Sequence, residues 1–371
     1  MSDSNPASPS SAASPSPDLP QEMRAWRVHA WGPSPLETLQ LDTVPRPDPE
    51  AGELLVRVQA IPLNLNDIER VNGENMMVRP ELPLIPGMEV MGQVVATGAG
   101  AEESLGRRVV AMPKQAHGGF AEYAICPAVS AFDMPEAIPL PDAAALYFPF
   151  HLAWLGLVDR ANLQAGESVL IHAGAGGAGS AAIQLAKHLG ARVYATAGSE
   201  EKVALCRELG ADVAINYTET DFHTQILADT QNAGVDVVFD GVGDAVVENS
   251  MRCIGYNGRY LMMGFASDKR FADEKWIVPR RLSTGNFKLC GVLLAYGDEN
   301  FVPAMKQAMG WNFCPDQLGQ KIMGEIVERV TEKKLKAVIG DVVDFHDLPA
   351  ALEGMRDRAT TGRTIVTVAN E

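Results

Sequence analysis

No run of about 18 consecutive apolar residues occurs in this 371-residue chain, so no membrane-spanning helix is expected. Cysteine is sparse. Five cysteines stand at 126, 206, 253, 290 and 314, with no CxxC pair, which points to buried thiols rather than a disulfide framework. Excess positive charge is also missing. The formal net charge is −16, which argues against nucleic acid or an anionic membrane as the main partner, since phosphate binding needs clustered Lys and Arg. The first twenty residues contain no Arg or Lys and no apolar core, so neither a secretory signal nor a transit peptide is read there. Residues 1–21 read as a disordered Ser/Pro/Ala tail, and the cytoplasm is the expected compartment.

What remains suits a globular protein with a sizeable core: 46% of residues are hydrophobic and 21% charged. Residues 22–142 carry short alternating or apolar runs punctuated by Pro and Gly ("GELLVRVQAIPLN", "MGQVVATGAG", "GGFAEYAIC"). They predict a small β-rich, barrel-like unit. Over 143–295 apolar runs of four to seven residues alternate with helix-length periodic segments, which predicts βαβ units and a doubly wound parallel sheet. Residues 296–371 mix helices and short strands and are expected to return to the first unit. The fold class is α/β.

The second unit opens on "IHAGAGGAGSAAIQLAKHLGARVYATAGSEEK", in which the glycines fall as Gly174-x-Gly176-x-x-Gly179. Val169–His172 supplies a strand before them and Ala181–Leu189 a helix after. Gly174 permits the tight turn, Gly176 close approach of backbone to a pyrophosphate, and Gly179 the packing of helix on strand. The pyrophosphate would rest on N–H groups at the helix start. A carboxylate usually closes the next strand, about 20 residues on, and binds the adenosine ribose. Here that strand runs into Ala197-Gly198-Ser199. Ser199 offers a hydroxyl, Lys202 a cation and Tyr217 a phenol, a set suited to a 2′-phosphate. Lys202 alone would also suit a solvated helix face; the combination favours NADPH over NADH.

These motifs, with "LNLNDIERVNG", "PGMEVMGQVVATG", "DVVFDGVG" and "GRYLMMGFAS", make residues 22–371 resemble the zinc-independent quinone oxidoreductase (zeta-crystallin-like) branch of the medium-chain dehydrogenases/reductases. The resemblance implies a GroES-like β-rich catalytic domain split by a Rossmann domain, with the active site between them. By position it implies cofactor contacts at Gly174, Ala175, Gly176, Gly177, Ala178, Gly179, Ser199, Lys202 and Tyr217. It adds Asp240, Gly241, Gly243, Gly264 and Phe265 along the cofactor, and Val292 and Leu294 at its nicotinamide end. Asn64 and Asp67 match an N-x-x-D pair lining the cleft, although each is equally a turn former or helix cap. A homodimer paired near Val292 is implied too.

Zinc-dependent relatives place a Cys where Asn64 stands and a His where Met88 stands, and neither residue present is a usual zinc ligand. No metal is therefore expected. Without a Lewis acid the chemistry suits hydride transfer from NADPH to an electrophilic acceptor, a quinone or α,β-unsaturated carbonyl. The enolate-like oxyanion would be stabilised by positioned donors. Asn64, with Tyr147 and His151, are the candidates, although packing is the alternative for the last two. Met76, Met77, Met88 and Met91 either line the cleft or fill the core. Two further readings stay open. One is an enoyl-thioester (acyl-CoA) reductase, to which Arg79, Arg280 and Arg281 would lend phosphate contacts; such reductases carry a catalytic Tyr soon after the position of Gly73, where this chain has Glu74-Asn75-Met76. The other is a non-catalytic NADPH-binding protein.

Overall fold

The computed structural model describes residues 19–74, 80–264, 279–357 and 360–369. The tail expected over 1–21 lies outside them as far as Asp18. Strands β1 (Glu22–Val28) and β2 (Leu39–Pro45) form an antiparallel pair. Next come β3 (Glu53–Pro62), β4 (Val90–Thr97), β5 (Arg108–Ala111), β6 (Tyr123–Pro127) and β7 (Ala131–Asp133). They are followed by β8 (Ser168–Ile171), β9 (Arg192–Ala197), β10 (Val213–Asn216), β11 (Val235–Asp240), β12 (Ile254–Met262) and β13 (Lys288–Gly291). A short pair, β14 (Tyr296–Gly297) and β15 (Cys314–Pro315), precedes β16 (Ile339–Asp344) and β17 (Arg363–Thr367).

Strands β8 to β13 build a six-stranded parallel sheet in the order β10-β9-β8-β11-β12-β13. That is the Rossmann order, with its switch point between β8 and β11. The strand sequences explain the choice. "RVYATA" of β9 and "VDVVFD" of β11 are almost continuously buried, as strands covered by helices on both faces must be. The helix Gly177–His188 is buried from Gly179 through Ala186, and its small residues let it lie close against the sheet.

The second sheet is the β-rich unit, ordered β16-β17-β3-β4-β5-β7 with β6 also paired to β3. β16 and β17 reach it from the far side of the parallel unit in sequence, and β17 pairs antiparallel with β3. This return brings the C-terminal strand to the cofactor loop: Gly362 bridges Gly176, and its N–H donates to the Ala175 carbonyl at 2.8 Å. No helix among the described residues is long and apolar enough to cross a membrane.

Candidate functional site

The glycine-rich loop leaves β8 through Ala173, whose φ is 51°. The Gly174 N–H donates to Thr196 O at 2.9 Å, which ties the loop to β9. A Cβ on Gly174 would stand 2.8 Å from Cys206 Sγ, and one on Gly179 would collide with the Ala173 carbonyl. Gly176 is the N-cap of the helix and supplies no side-chain cap. The first N–H groups of the helix, from Gly177, Ala178 and Gly179, therefore face the loop with the positive end of the helix dipole behind them. A Cβ on Gly177 would meet Arg363 Cδ at 2.8 Å. Arg363 is buried, and its Nε has no hydrogen-bond partner. A cradle of bare backbone beside a buried, unsatisfied guanidinium N–H fits a pyrophosphate.

At the end of β9, Ala197 is buried and a Glu or Asp is absent. Ser199 caps the next helix, its Oγ accepting from the Lys202 N–H at 3.3 Å, so its own hydroxyl hydrogen remains available to donate. Tyr217 is half-exposed, anchored by its N–H to Ala197 O at 3.1 Å. Its ring leans over Gly198. Ser199, Lys202 and Tyr217 thus gather around one turn.

Asp240 ends β11, and its side chain is turned to the fold. Its carboxylate is buried and used internally: Oδ1 accepts from the N–H groups of Val242 (2.7 Å) and Gly243 (3.0 Å), and Oδ2 from the Tyr260 hydroxyl (2.7 Å). It shapes the turn that presents Gly241, where a Cβ would meet nothing within 4 Å. Gly264 packs on that turn, its would-be Cβ 2.6 Å from Gly241 O. Val292 and Leu294 are buried, and the Val292 N–H donates to Met262 O at 2.9 Å. Sequence reading missed His172, whose ring bonds Thr196 Oγ1 (3.0 Å) and Ser250 Oγ (2.8 Å) beneath the loop. Burial lowers its pKa, against a smaller opposing pull from Asp240, so the ring is neutral. Phe265, Met76, Met77 and Arg79 lie outside the described residues, as does the Arg280 side chain.

On the other wall, "NLNDIERVNG" folds as the helix Leu65–Asn72, stopped by Gly73 at φ 70°. Asn64 precedes it. Direct donation from Asn64 to a substrate is corrected by its hydrogen bonds. Both amide hydrogens are spent, on Pro62 O (3.2 Å) and Glu89 Oε2 (3.1 Å), while its Oδ1 accepts from Arg363 Nη1 at 2.7 Å. Asp67 is fully buried and accepts from the N–H groups of Asn64 (2.8 Å) and Met88 (3.1 Å). Burial raises its pKa to about 6, with Arg70, these two bonds and Arg363 pulling the other way. The pair acts as a helix cap and loop staple.

Glu89, also fully buried, is the hub that sequence reading missed. One oxygen accepts from Arg363 Nη2 at 2.5 Å and from Asn64; the other accepts from the Phe148 N–H at 3.2 Å, at the start of the helix Tyr147–Trp154. In the sequence Glu89 is marked only by its place in the motif "PGMEVMGQVVATG", next to Met88. Arg363, 299 residues from Asn64 in sequence, had no local signal at all.

Tyr147 is buried. Burial raises its pKa well above the ordinary tyrosine value, helped by Tyr296 and Glu89. It packs edge-on against His151, whose Nδ1 bonds Tyr296 Oη at 2.8 Å and whose Nε2 is buried without a partner. Burial takes the His151 pKa down to about 3, so this imidazole is neutral. Met88 and Met91 are core residues. Among the described residues, no three His, Cys, Asp or Glu side chains gather where they would hold a metal ion.

Two family descriptions match the chain: an alcohol dehydrogenase GroES-like domain over residues 50–136 and a zinc-binding dehydrogenase over residues 177–311. The quinone oxidoreductase of Sus scrofa is 32% identical over 243 residues, which are 65% of this chain and 73% of that protein. The chain belongs to the quinone oxidoreductase branch of the medium-chain dehydrogenases/reductases. A quinone oxidoreductase-like protein 2 homolog of Nematostella vectensis is 35% identical over 217 residues, 58% of this chain. The match spans 59% of that relative, less than two thirds of its length. Among solved structures, a mycobacterial protein complexed with NADPH superposes at TM-score 0.79 with 28% identity, over 93% of this chain and 99% of that one.

Proposed function

We propose that this member of the branch reduces a quinone or another α,β-unsaturated carbonyl with NADPH and without a metal ion. The observation that carries the cofactor choice is the end of β9. Ala197 puts no carboxylate where a ribose 2′-hydroxyl would be bound, and the Ser199 hydroxyl and Tyr217 phenol stand beside that turn with Lys202 on the following helix. An acid at that point would repel a 2′-phosphate; two hydroxyl donors and an ammonium attract one. The NADPH complex of the mycobacterial relative supports the same choice.

When bound, NADPH supplies the hydride. The chain's own residues hold it and exclude water. The N–H groups of Gly177, Ala178 and Gly179 would hold the pyrophosphate with Arg363 Nε alongside, and Gly241, with Gly264 packed against it, would allow close backbone approach. Val292 and Leu294 supply an apolar wall at the nicotinamide end. Glu89 fixes Arg363, Asn64 and the helix Tyr147–Trp154 to one another, and so sets the cleft's width. An acceptor that is already electrophilic needs little more than proximity and orientation from the protein. The resemblance also supports a homodimer joined along β13, the edge of the parallel sheet.

The test is the loss of NADPH absorbance with purified protein, run in parallel on ortho- and para-quinones and on crotonyl-CoA. Quinone turnover is expected. Turnover of crotonyl-CoA alone would move the acceptor to an enoyl thioester. NADPH binding with no turnover of either would make the protein a cofactor-binding one without this activity.

A further inference from the structure

The turn between β9 and the helix Glu200–Glu208 contains a glycine that no backbone angle demands. Gly198 is not among the residues with positive φ, so an alanine would fit its backbone without strain. What the glycine does leave is room. A Cβ placed there would lie 2.6 Å from Tyr217 Oη and 3.0 Å from its Cζ, both inside van der Waals contact.

The backbone that carries the ring is held by hydrogen bonds. The Tyr217 N–H is bonded to Ala197 O at 3.1 Å, and Asn216 is paired in register with Ala197. The Asn216 side chain is held on both sides, donating to Glu200 Oε1 (3.1 Å) and accepting from Thr218 N (3.2 Å) and Thr218 Oγ1 (2.7 Å). The phenol is 50% exposed, so it can swing into solvent at little cost to the fold. Its hydroxyl rests on the turn because residue 198 has no side chain.

We infer that Gly198 is a positioning residue for cofactor choice: it seats the Tyr217 hydroxyl on the β9 turn beside Ser199, where the two hydroxyls jointly receive the 2′-phosphate. The inference rests on the NADPH reading above. A methyl group at 198 displaces the hydroxyl without touching the pyrophosphate loop, so it acts on the 2′-phosphate and spares the rest of the dinucleotide.

The experiment compares wild type, Gly198→Ala, Tyr217→Phe and the double variant, with KM and kcat measured for both NADPH and NADH and thermal unfolding as a control for folding. One lost hydrogen bond to a charged group is worth on the order of tenfold in affinity. Gly198→Ala is expected to lower the NADPH-over-NADH preference by about that factor, through KM and not kcat. Tyr217→Phe should do the same, and the double variant should lose no more than either alone, because both remove the same contact. Equal changes with the two cofactors, or effects of the two substitutions that multiply, would overturn the inference. A wild type without any preference for NADPH would overturn the reading beneath it; a wild type with the preference and an unaltered Gly198→Ala would overturn the inference alone.

Discussion

Arg363 Nη2 lies 2.5 Å from Glu89 Oε2, and both side chains are buried, 6% and 0% exposed. Through this pair the last strand of the β-rich unit, the cofactor loop and the helix Tyr147–Trp154 share one ionic hub. A buried pair adds little net stability, but removing one partner strands a charge and costs about 3–5 kcal/mol. Arg363→Met is therefore expected to lose several kcal/mol in urea unfolding. Adding Glu89→Gln should restore part of it. A double variant as unstable as the sum of the singles would show that the two groups do not interact.

The buried Asp67 predicts a pH dependence. Its carboxyl titrates near 6 in the folded protein against an ordinary value of 3.8, so the folded state holds the proton more tightly than the unfolded chain. Its contribution to stability is greatest below about pH 4, declines as pH rises to about 6, and is level above that. The span is up to about 3 kcal/mol. Asparagine at 67 cannot titrate. The stability gap between wild type and Asp67→Asn should move in favour of the variant between pH 4 and pH 7, whereas parallel profiles would contradict this.

Two glycines of the cofactor site separate packing from function. A methyl group on Gly179 would strike the Ala173 carbonyl, whereas one on Gly241 would meet nothing within 4 Å. Gly179→Ala is expected to cost about 1–3 kcal/mol and to weaken NADPH binding with it. Gly241→Ala should leave stability within about 0.5 kcal/mol while weakening NADPH binding, because its effect comes only from the cofactor's close approach. Denaturation and fluorescence titration read the two quantities separately.

How legible was this in the sequence? The cofactor could be read because the motifs that point to it are local: the loop from Gly174 to Gly179 and the turn from Ala197 to Lys202 each sit within a few residues. β-strand periodicity and the change of pattern near residue 143 gave the two architectures for the same reason. The cleft half was not legible. Asn64, Glu89 and Arg363 meet across separations of 25, 274 and 299 residues, and no window contains more than two of them. Position singled out Asn64 and Asp67 and offered helix capping as the alternative, which their local bonds show; what it left out is the bonds of Asn64 to Glu89 and Arg363. Asp240 is similar: its place at the end of a strand is readable, but its partners, Tyr260 and the next turn, decide what its carboxylate does.

The β9 turn also predicts the effect of restoring the missing acid. Ala197→Asp places a negative charge where the 2′-phosphate would bind and an acceptor where a ribose hydroxyl would. The kcat/KM for NADPH should fall by at least roughly tenfold, while that for NADH rises. No change in either value would show that the cofactor's adenosine end lies elsewhere.

The most direct measurement is kcat/KM of the wild-type protein for NADPH and for NADH, with one para-quinone as acceptor held in excess. The arrangement of Ala197, Ser199, Lys202 and Tyr217 predicts quinone-dependent oxidation with a preference for NADPH on the order of tenfold or more. Equal use of the two cofactors, or a preference for NADH, would contradict it.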